Sequence, residues 1–495
     1  MLPIYIVLTF FLAALTIAFS KSSTFAKNVT LVAHLAALVL AVLMAAELRA
    51  LDGDSIRFVF GAEPWNFHVW VTTLDAFMVM VFVGVNLLIM WASTTMIGHD
   101  IEKQRIPLYY ILMNVLIASL VGIVIVENFF NIFFMIELSS FVAAGIVIIK
   151  NNKENMKAGL KYLSLSILGS SIILMGIITF YFLTGEFSLT GIYYNLLDNY
   201  AGNEAMVVNG LFFITVGVAL KGALFPLHIW LPDAHGSAPS PSSAVLSALV
   251  LKAYIYLYIK ILYKAIGTNI LMYDSGIRNI LFLVMIVGAI AMIYGSMMAL
   301  LQKDIKRMIA YSSVAQIGYI FMGIGMGTRL GLFAALFHIL SHALTKATLF
   351  LIAGSFIEQT HERNIDRFYG IGYTMPISTA LFTIGGLSMV GIPLFAGFNS
   401  KWFFAISIVD SANYLLLGVL VASALLNGCY YFPIIIRAYF GEKAQEVYQS
   451  KVKVERPLTH LLPIIILGAT VVLFAIFTTP IYDFINIGMD RIISR

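Results

Sequence analysis

Residues 131–150 read NIFFMIELSSFVAAGIVIIK: twenty residues with one carboxylate, Glu137, near the middle and one cation, Lys150, at the end. The run shows none of the apolar–polar alternation of a half-buried strand. It has the length an α-helix needs to cross a hydrocarbon core about 30 Å thick. A charge at the centre of such a helix costs about 2.5–3.5 kcal/mol. Glutamate is too short to snorkel out, so Glu137 must be protonated, paired, or facing a wet cavity.

The rest of the chain repeats this pattern. Of its 495 residues 60% are hydrophobic and 11% charged, where a soluble globular protein has about 45–50% and about 25%. With a mean hydropathy of +0.93, a soluble fold is excluded. Long unalternating runs also exclude an outer-membrane barrel, whose segments alternate over about 10 residues. The expected fold is an all-α polytopic membrane protein with about fourteen transmembrane helices. They lie near 2–20, 28–47, 71–97, 107–126, 129–149, 158–184, 206–226, 241–263, 279–299, 305–326, 330–356, 376–410, 413–437 and 458–480. Most connections are short; the long ones are 48–70, 185–205 and 438–457, with an unusual polar stretch at 227–240. No linker divides the chain, so one membrane domain spans 1–495. The first apolar run lacks a basic leader and an A-x-A-like site, and is read as a retained helix.

Two spans are interrupted, the seventh at Pro226 and the twelfth around Gly391 and Pro393. A proline removes a backbone hydrogen bond, and in hydrocarbon the freed carbonyls need other partners. The breaks lie five spans apart. This is the spacing expected of two five-helix repeats, helices 4–8 (107–264) and 9–13 (278–440), after helices 1–3 (1–106) and before helix 14 (441–495). An odd number of helices per repeat inverts the second copy, and broken helices in inverted repeats mark ion or substrate paths. Two ordinary proline kinks are the plainer alternative. Lys and Arg concentrate in loops after odd-numbered helices, among them Lys150, Lys153, Lys157, Arg437, Lys443, Lys451, Lys453 and Arg456. Those loops are therefore expected on the cytoplasmic side of a cell membrane and both termini outside.

Further charges stand where the bilayer disfavours them. Lys221 lies in FFITVGVALKGALFP and Lys252 in SSAVLSALVLKAYIYLYIK, each at mid-span. Lys260 and Lys264, nearer the end of the eighth helix, are explained by snorkelling. His338, His342 and Lys346 recur at i, i+4 and i+8, one stripe along the eleventh helix. Lys401 follows the second break. Core histidines bonded across the bundle are the plain reading of the pair. Zinc is disfavoured because neither a cysteine nor a carboxylate accompanies it. Titratable groups on helices 5, 7, 8, 11 and 12 make a line along which each charge biases the next, the requirement of a proton relay. Lys303, Asp304, Lys306 and Arg307 read as a solvated helix start that Asp304 caps.

Absences narrow the function. The single cysteine, Cys429, supports no disulfide within the chain and no iron–sulfur cluster, and neither a dinucleotide fingerprint nor a P-loop occurs. No cofactor or metal is expected in this chain, and the small net charge of +5 reflects topology, not nucleic-acid binding.

ALKGALFPLHIWLPDAHGSAPSPSSAVLSALVLKAY (219–254) and LLQKDIKRMIAYSSVAQIGY (300–319) closely resemble signatures of one family. Its members are the antiporter-like membrane subunits of respiratory complex I, the D-type subunit of Mrp cation/proton antiporters, and the corresponding subunits of membrane-bound hydrogenases. The resemblance implies fourteen helices and a half-channel in each repeat, joined through a central lysine. It implies that Glu137 is the fifth-helix glutamate, Lys221 the seventh-helix lysine that pairs with it, and Lys252 the connecting lysine. His338 and His342 match the eleventh-helix polar positions and Lys401 the terminal residue. His228 and Asp233 fall in the turn after the first break, where proton access and service to freed backbone groups are equally good readings. The extra C-terminal helices of the distal complex I and large Mrp subunits are not expected in this chain. A D-type Mrp subunit, or its counterpart in a hydrogenase or sulfur-reducing complex, is the best match. Implied partners are other membrane subunits, whether small Mrp-like ones or a redox arm, with protons and Na⁺ as candidate ions. The competing expectations are a stand-alone carrier of an organic solute and a scaffold subunit with a disused channel.

Overall fold

The computed structural model of the chain describes residues 1–51, 55–60, 67–450 and 452–493. Parts of the 48–70 connection (52–54 and 61–66), Lys451, and the last two residues lie outside them. Among the described residues twelve helices are long and apolar enough to cross a membrane, and two shorter apolar helices, Leu2–Ala18 and Pro376–Val390, accompany them. In hydrocarbon every backbone group must be satisfied within the segment, which is why long apolar runs become helices. Polar side chains start them: Asn128 Oδ1 accepts from Phe130 N at 2.8 Å, Asp274 Oδ1 from Ile277 N at 2.7 Å, and Asp304 Oδ1 from Arg307 N at 2.9 Å. The cap expected of Asp304 is present.

Apolar burial does not drive helices together in lipid, so small residues set which ones meet. Helix Lys153–Thr184 packs on Glu204–Lys221 through Gly169 and Gly217; a Cβ on Gly217 would lie 2.6 Å from the Gly169 carbonyl. Ser275–Leu300 meets Ile305–Gly325 the same way, since a Cβ on Gly288 would lie 2.6 Å from Met322 N. Ser240–Ile266 is buried along its whole length, and Arg329–Thr360 is buried from Gly331 to Phe356. They carry Lys252 and the His338/His342/Lys346 stripe through the middle of the bundle.

Both interruptions are present. Helix Glu204–Lys221 stops at Lys221, because Ala223 takes φ +57°; the break thus begins directly behind the lysine, five residues earlier than Pro226 predicts. The chain resumes as the short helix Leu231–Ser237, and Trp230 Nε1 returns to the freed Leu220 carbonyl at 3.0 Å. In the second break Pro376–Val390 ends at Gly391 (φ +91°), and Ala396–Asp410 follows.

Loops after alternate spans gather at opposite ends. At one end Asp304 bridges to Asn364, Gly370 N bonds the Arg437 carbonyl at 3.1 Å, and Asn155 Nδ2 bonds that of Ser237 at 2.9 Å. At the other end a hairpin, Ile56–Phe60 paired antiparallel with Phe67–Val71, covers the helix ends; Glu127 N bonds its His68 carbonyl at 2.9 Å. From sequence the hairpin segment reads as plain connection. The last expected span also stops at residue 480, whereas a further helix, Thr479–Ile493, buries Ile485, Met489 and Ile492.

Candidate functional site

The break after Lys221 leaves its side chain at a helix end, 2% exposed. Its Nζ donates to Ser140 Oγ at 2.7 Å and Ser166 Oγ at 2.9 Å, and lies 5.0 Å from the centre of the Tyr254 ring. Glu137 is half-buried on the neighbouring Phe129–Ile148 helix. It acts on Lys221 electrostatically, but no ion pair joins them among the described residues. The direct contacts of the Lys221 ammonium are the two serine hydroxyls.

Lys252 is fully buried. Helix Ser240–Ile266 widens to a π-turn over Leu246–Val250, a rare geometry that recurs at functional sites, and Lys252 Nζ bonds the Ser247 carbonyl inside it. Ser247 Oγ meets Ser313 Oγ at 2.9 Å. Across this contact stands Lys346, whose Nζ donates to the Ile309 carbonyl at 2.9 Å and to Ser312 Oγ. Lys252 and Lys346 lie within electrostatic reach of each other. Next along the stripe are His342 and His338, their rings 5.9 Å apart. His338 Nδ1 meets Ser400 Oγ at 2.9 Å and its ring stacks on Tyr319 at 5.4 Å. Beyond Tyr319, Lys401 donates to the carbonyls of Met389 at 2.6 Å and Val390 at 2.9 Å, which the second break frees.

Lys221, Lys252, Lys346, His342, His338 and Lys401 thus occupy the interior, all but His342 held by hydroxyl or carbonyl oxygens. Around them several buried polar atoms have no hydrogen-bond partner among the described residues: both ring nitrogens of His342, Nε2 of His338, Oγ of Ser341 and both ends of the Gln316 amide. Such atoms are scarce in folded proteins and demand water. A hydroxyl both donates and accepts, and a histidine takes a proton on one nitrogen while releasing one from the other. The arrangement suits stepwise proton transfer. Among the described residues no group of three or more His, Cys, Asp or Glu is placed to hold a metal ion.

The turn after the first break divides. His228 is 4% exposed and lies among Phe225, Tyr294 and Tyr311. Asp233 binds Lys161 Nζ at 2.7 Å and Arg307 at 3.2 Å. It lines a polar cavity of about 500 Å³ with Lys157, Asp304 and Arg363.

Other residues escape the sequence reading or depart from it. His235, two residues past Asp233, is fully buried and within electrostatic reach of Lys252, Lys306 and Lys346; a histidine in a polar stretch after the break was the available signal. Lys306 is no solvated end: it is 2% exposed and bonds the Ala238 carbonyl. Lys260 and Lys264 do not snorkel. They are 2% and 1% exposed, and Lys264 pairs with the buried Asp75 at 2.6 Å.

Comparison with known proteins gives a consistent result. Residues 126–426 match the family described as NADH:quinone oxidoreductase/Mrp antiporter, transmembrane. The chain is 31% identical to the N-type subunit of NADH-quinone oxidoreductase from Desulforudis audaxviator, over 97% of this chain and 96% of that one. It is 25% identical to the D-type subunit of the Na(+)/H(+) antiporter from Alkalihalophilus pseudofirmus, over 99% and 96%. Among solved structures, a chain of the membrane-bound sulfane sulfur reductase, an archaeal respiratory membrane complex, superposes with a TM-score of 0.87 at 25% identity, covering 99% of this chain and 96% of that one. A chain of the Mrp complex from Dietzia sp. DQ12-45-1b has the same fold, with a TM-score of 0.87 at 19% identity, over 99% and 97%.

Proposed function

The chain belongs to the NADH:quinone oxidoreductase/Mrp antiporter transmembrane family, and from that membership we propose that it translocates protons as an antiporter-like subunit of a larger membrane complex. The observation that carries the proposal is the set of buried groups Lys221, Lys252, Lys346, His342, His338 and Lys401, whose lysines are bonded only to neutral oxygens. Buried ammonium groups without a carboxylate in contact are costly, and a chain that keeps several has a use for their titration.

Protons enter beside Glu137 and Lys221, cross Lys252 and the His338/His342/Lys346 stripe, and leave near Lys401. His228 and Asp233 serve access, Asp233 through the polar cavity it lines. Residues 107–264 and 278–440 act as two five-helix units with one break each. The odd-numbered loops, at the end of the bundle where Lys150, Lys161, Arg307 and Arg363 form their ion pairs, face the cytoplasm of a cell whose plasma membrane holds the chain. The chain carries no cofactor of its own and fits a D-type Mrp subunit or its counterpart in a hydrogenase or sulfur-reducing complex, with small Mrp-like membrane subunits or a redox arm as its partners.

The test is proton uptake into proteoliposomes holding the intact complex, with Glu137→Ala and Lys221→Ala variants. Uptake lost in both, with assembly preserved, supports the proposal. Full activity in both overturns it.

A further inference from the structure

At the hairpin end of the bundle, outside the proposed relay, a cavity of about 670 Å³ opens beside the start of helix Thr73–Asp100. Three elements wall it: Arg49 from the last turn of helix Ser23–Ala50, Thr73, and Thr479, Asp483 and Ile487 of helix Thr479–Ile493. That last helix sits tightly on its neighbour, since a Cβ on Gly488 would lie 2.8 Å from Leu74 N. Three polar groups of the lining have no partner among the described residues. Thr73 is 5% exposed and its buried hydroxyl makes no hydrogen bond. Arg49 and Asp483 line the same cavity, yet neither forms an ion pair, with each other or with any described residue.

A buried hydroxyl without a partner is costly, and two opposite charges held apart across one cavity leave a gap for a molecule that carries both signs. Thr479 and Pro480 add to the positive side, because they begin a helix whose first N–H groups favour a phosphate. A second cavity of about 500 Å³ continues from the first, with Pro480 and Phe484 in the walls of both. Its lining is apolar, with Leu38, Met80 and Leu88 at the middle of their helices and Ile466 and Phe474 facing them. The Thr470 hydroxyl there is turned to the Ile466 carbonyl at 2.7 Å. Gly84 widens the groove, since a Cβ there would meet only Leu38 Cδ1, at 3.8 Å. Leu340 and Leu344 complete the wall. Each lies two residues from His342, on the opposite face of helix Arg329–Thr360.

We propose that this groove holds one zwitterionic phospholipid with a primary-amine headgroup. Its phosphate lies against Arg49, the Thr73 hydroxyl and the start of helix Thr479–Ile493, its ammonium against Asp483. One acyl chain fills the apolar groove behind the His338/His342/Lys346 stripe. The charges select the headgroup. An anionic phospholipid satisfies Arg49 and leaves Asp483 facing a like charge, and a quaternary amine has no N–H to give the carboxylate. The site binds a lipid and moves no ion, so it stands apart from the relay reading.

The experiment is photocrosslinking on the intact complex in phosphatidylcholine nanodiscs. A trace of phosphatidylethanolamine carries a diazirine in its acyl chain, and labelled peptides are identified by mass spectrometry. Label is expected on residues 77–88 and 336–348. Unlabelled phosphatidylethanolamine should displace it at a mole fraction at least roughly tenfold below that needed with phosphatidylglycerol, the factor set by one charge-assisted hydrogen bond. Arg49→Gln should lower the labelling by roughly tenfold. Asp483→Asn should erase the preference between the two competitors, and Asp483→Lys should turn it toward phosphatidylglycerol. Both side chains are exposed, so these variants keep the packing of the bundle. Equal competition by the two lipids in the parent, or an unchanged preference in Asp483→Lys, overturns the proposal. Absence of label from these peptides also overturns it, and means that a membrane helix of another subunit covers the groove.

Discussion

Lys252 and Lys346 stand on either side of the Ser247–Ser313 contact in the middle of the bundle, both fully buried and neither in contact with a carboxylate among the described residues. Two like charges in a low-dielectric interior repel strongly. Protonation of one therefore disfavours protonation of the other, the property that the proposed relay requires of neighbouring stations.

Replacing either lysine by methionine should then separate transport from stability. Breaking a buried ion pair leaves a stranded charge and destabilises, but here no partner is stranded, and a hydrophobic residue of similar length is commonly neutral or stabilising. Lys252→Met and Lys346→Met should each cut proton uptake by at least about 100-fold, the low end for a lost proton-transfer group. The melting midpoint of the complex, followed by intrinsic fluorescence, should hold or rise.

Ser140 and Ser166 are the groups that the Lys221 ammonium touches directly. A hydrogen bond to a charged group contributes about 1.5–3 kcal/mol. The double change Ser140→Ala/Ser166→Ala should therefore reduce proton uptake by at least about tenfold. Ser140→Thr, which keeps the hydroxyl, should leave most of it. Equal losses in both variants would mean that packing, not hydrogen bonding, matters at Ser140.

What is legible in the sequence, and what is hidden, divides by range. Apolar runs, the Gly391 break and the His338/His342/Lys346 stripe are local patterns, and each is where its spacing predicts. Most departures concern partners distant in sequence. Lys264 reads as able to snorkel because nothing near it announces Asp75, 189 positions earlier in the chain. Lys306 reads as solvated because the Ala238 carbonyl that holds it lies 68 positions away. The position of the first break is obscured for a local reason: Pro226 is the conspicuous residue, while Ala223, which turns the chain, is an ordinary alanine whose positive φ no propensity announces.

The Asp75–Lys264 pair predicts the opposite pattern from the central lysines. Both partners are buried and bonded to each other, so Asp75→Asn strands an ammonium. The complex should lose about 3–5 kcal/mol of stability. Adding Lys264→Met to Asp75→Asn should restore most of the loss, because the pair is then replaced as a unit. Chemical denaturation of the three proteins measures this. An Asp75→Asn variant as stable as the parent would mean that water reaches the pair.

Tyr319 predicts a difference between ring and hydroxyl. His338 stacks on its ring at 5.4 Å and the Lys401 ammonium lies 5.2 Å from its centre, so one aromatic face mediates between the last two stations of the line. The hydroxyl is buried without a partner among the described residues. A desolvated cation over an aromatic ring gains about 2 kcal/mol, and that gain survives loss of the hydroxyl. Tyr319→Phe should therefore keep most of the proton uptake. Tyr319→Leu removes the face that steadies Lys401 and should lower uptake by roughly tenfold or more. If Phe and Leu fail alike, the hydroxyl itself carries the proton between His338 and Lys401, and the line has one more member than the sequence indicated.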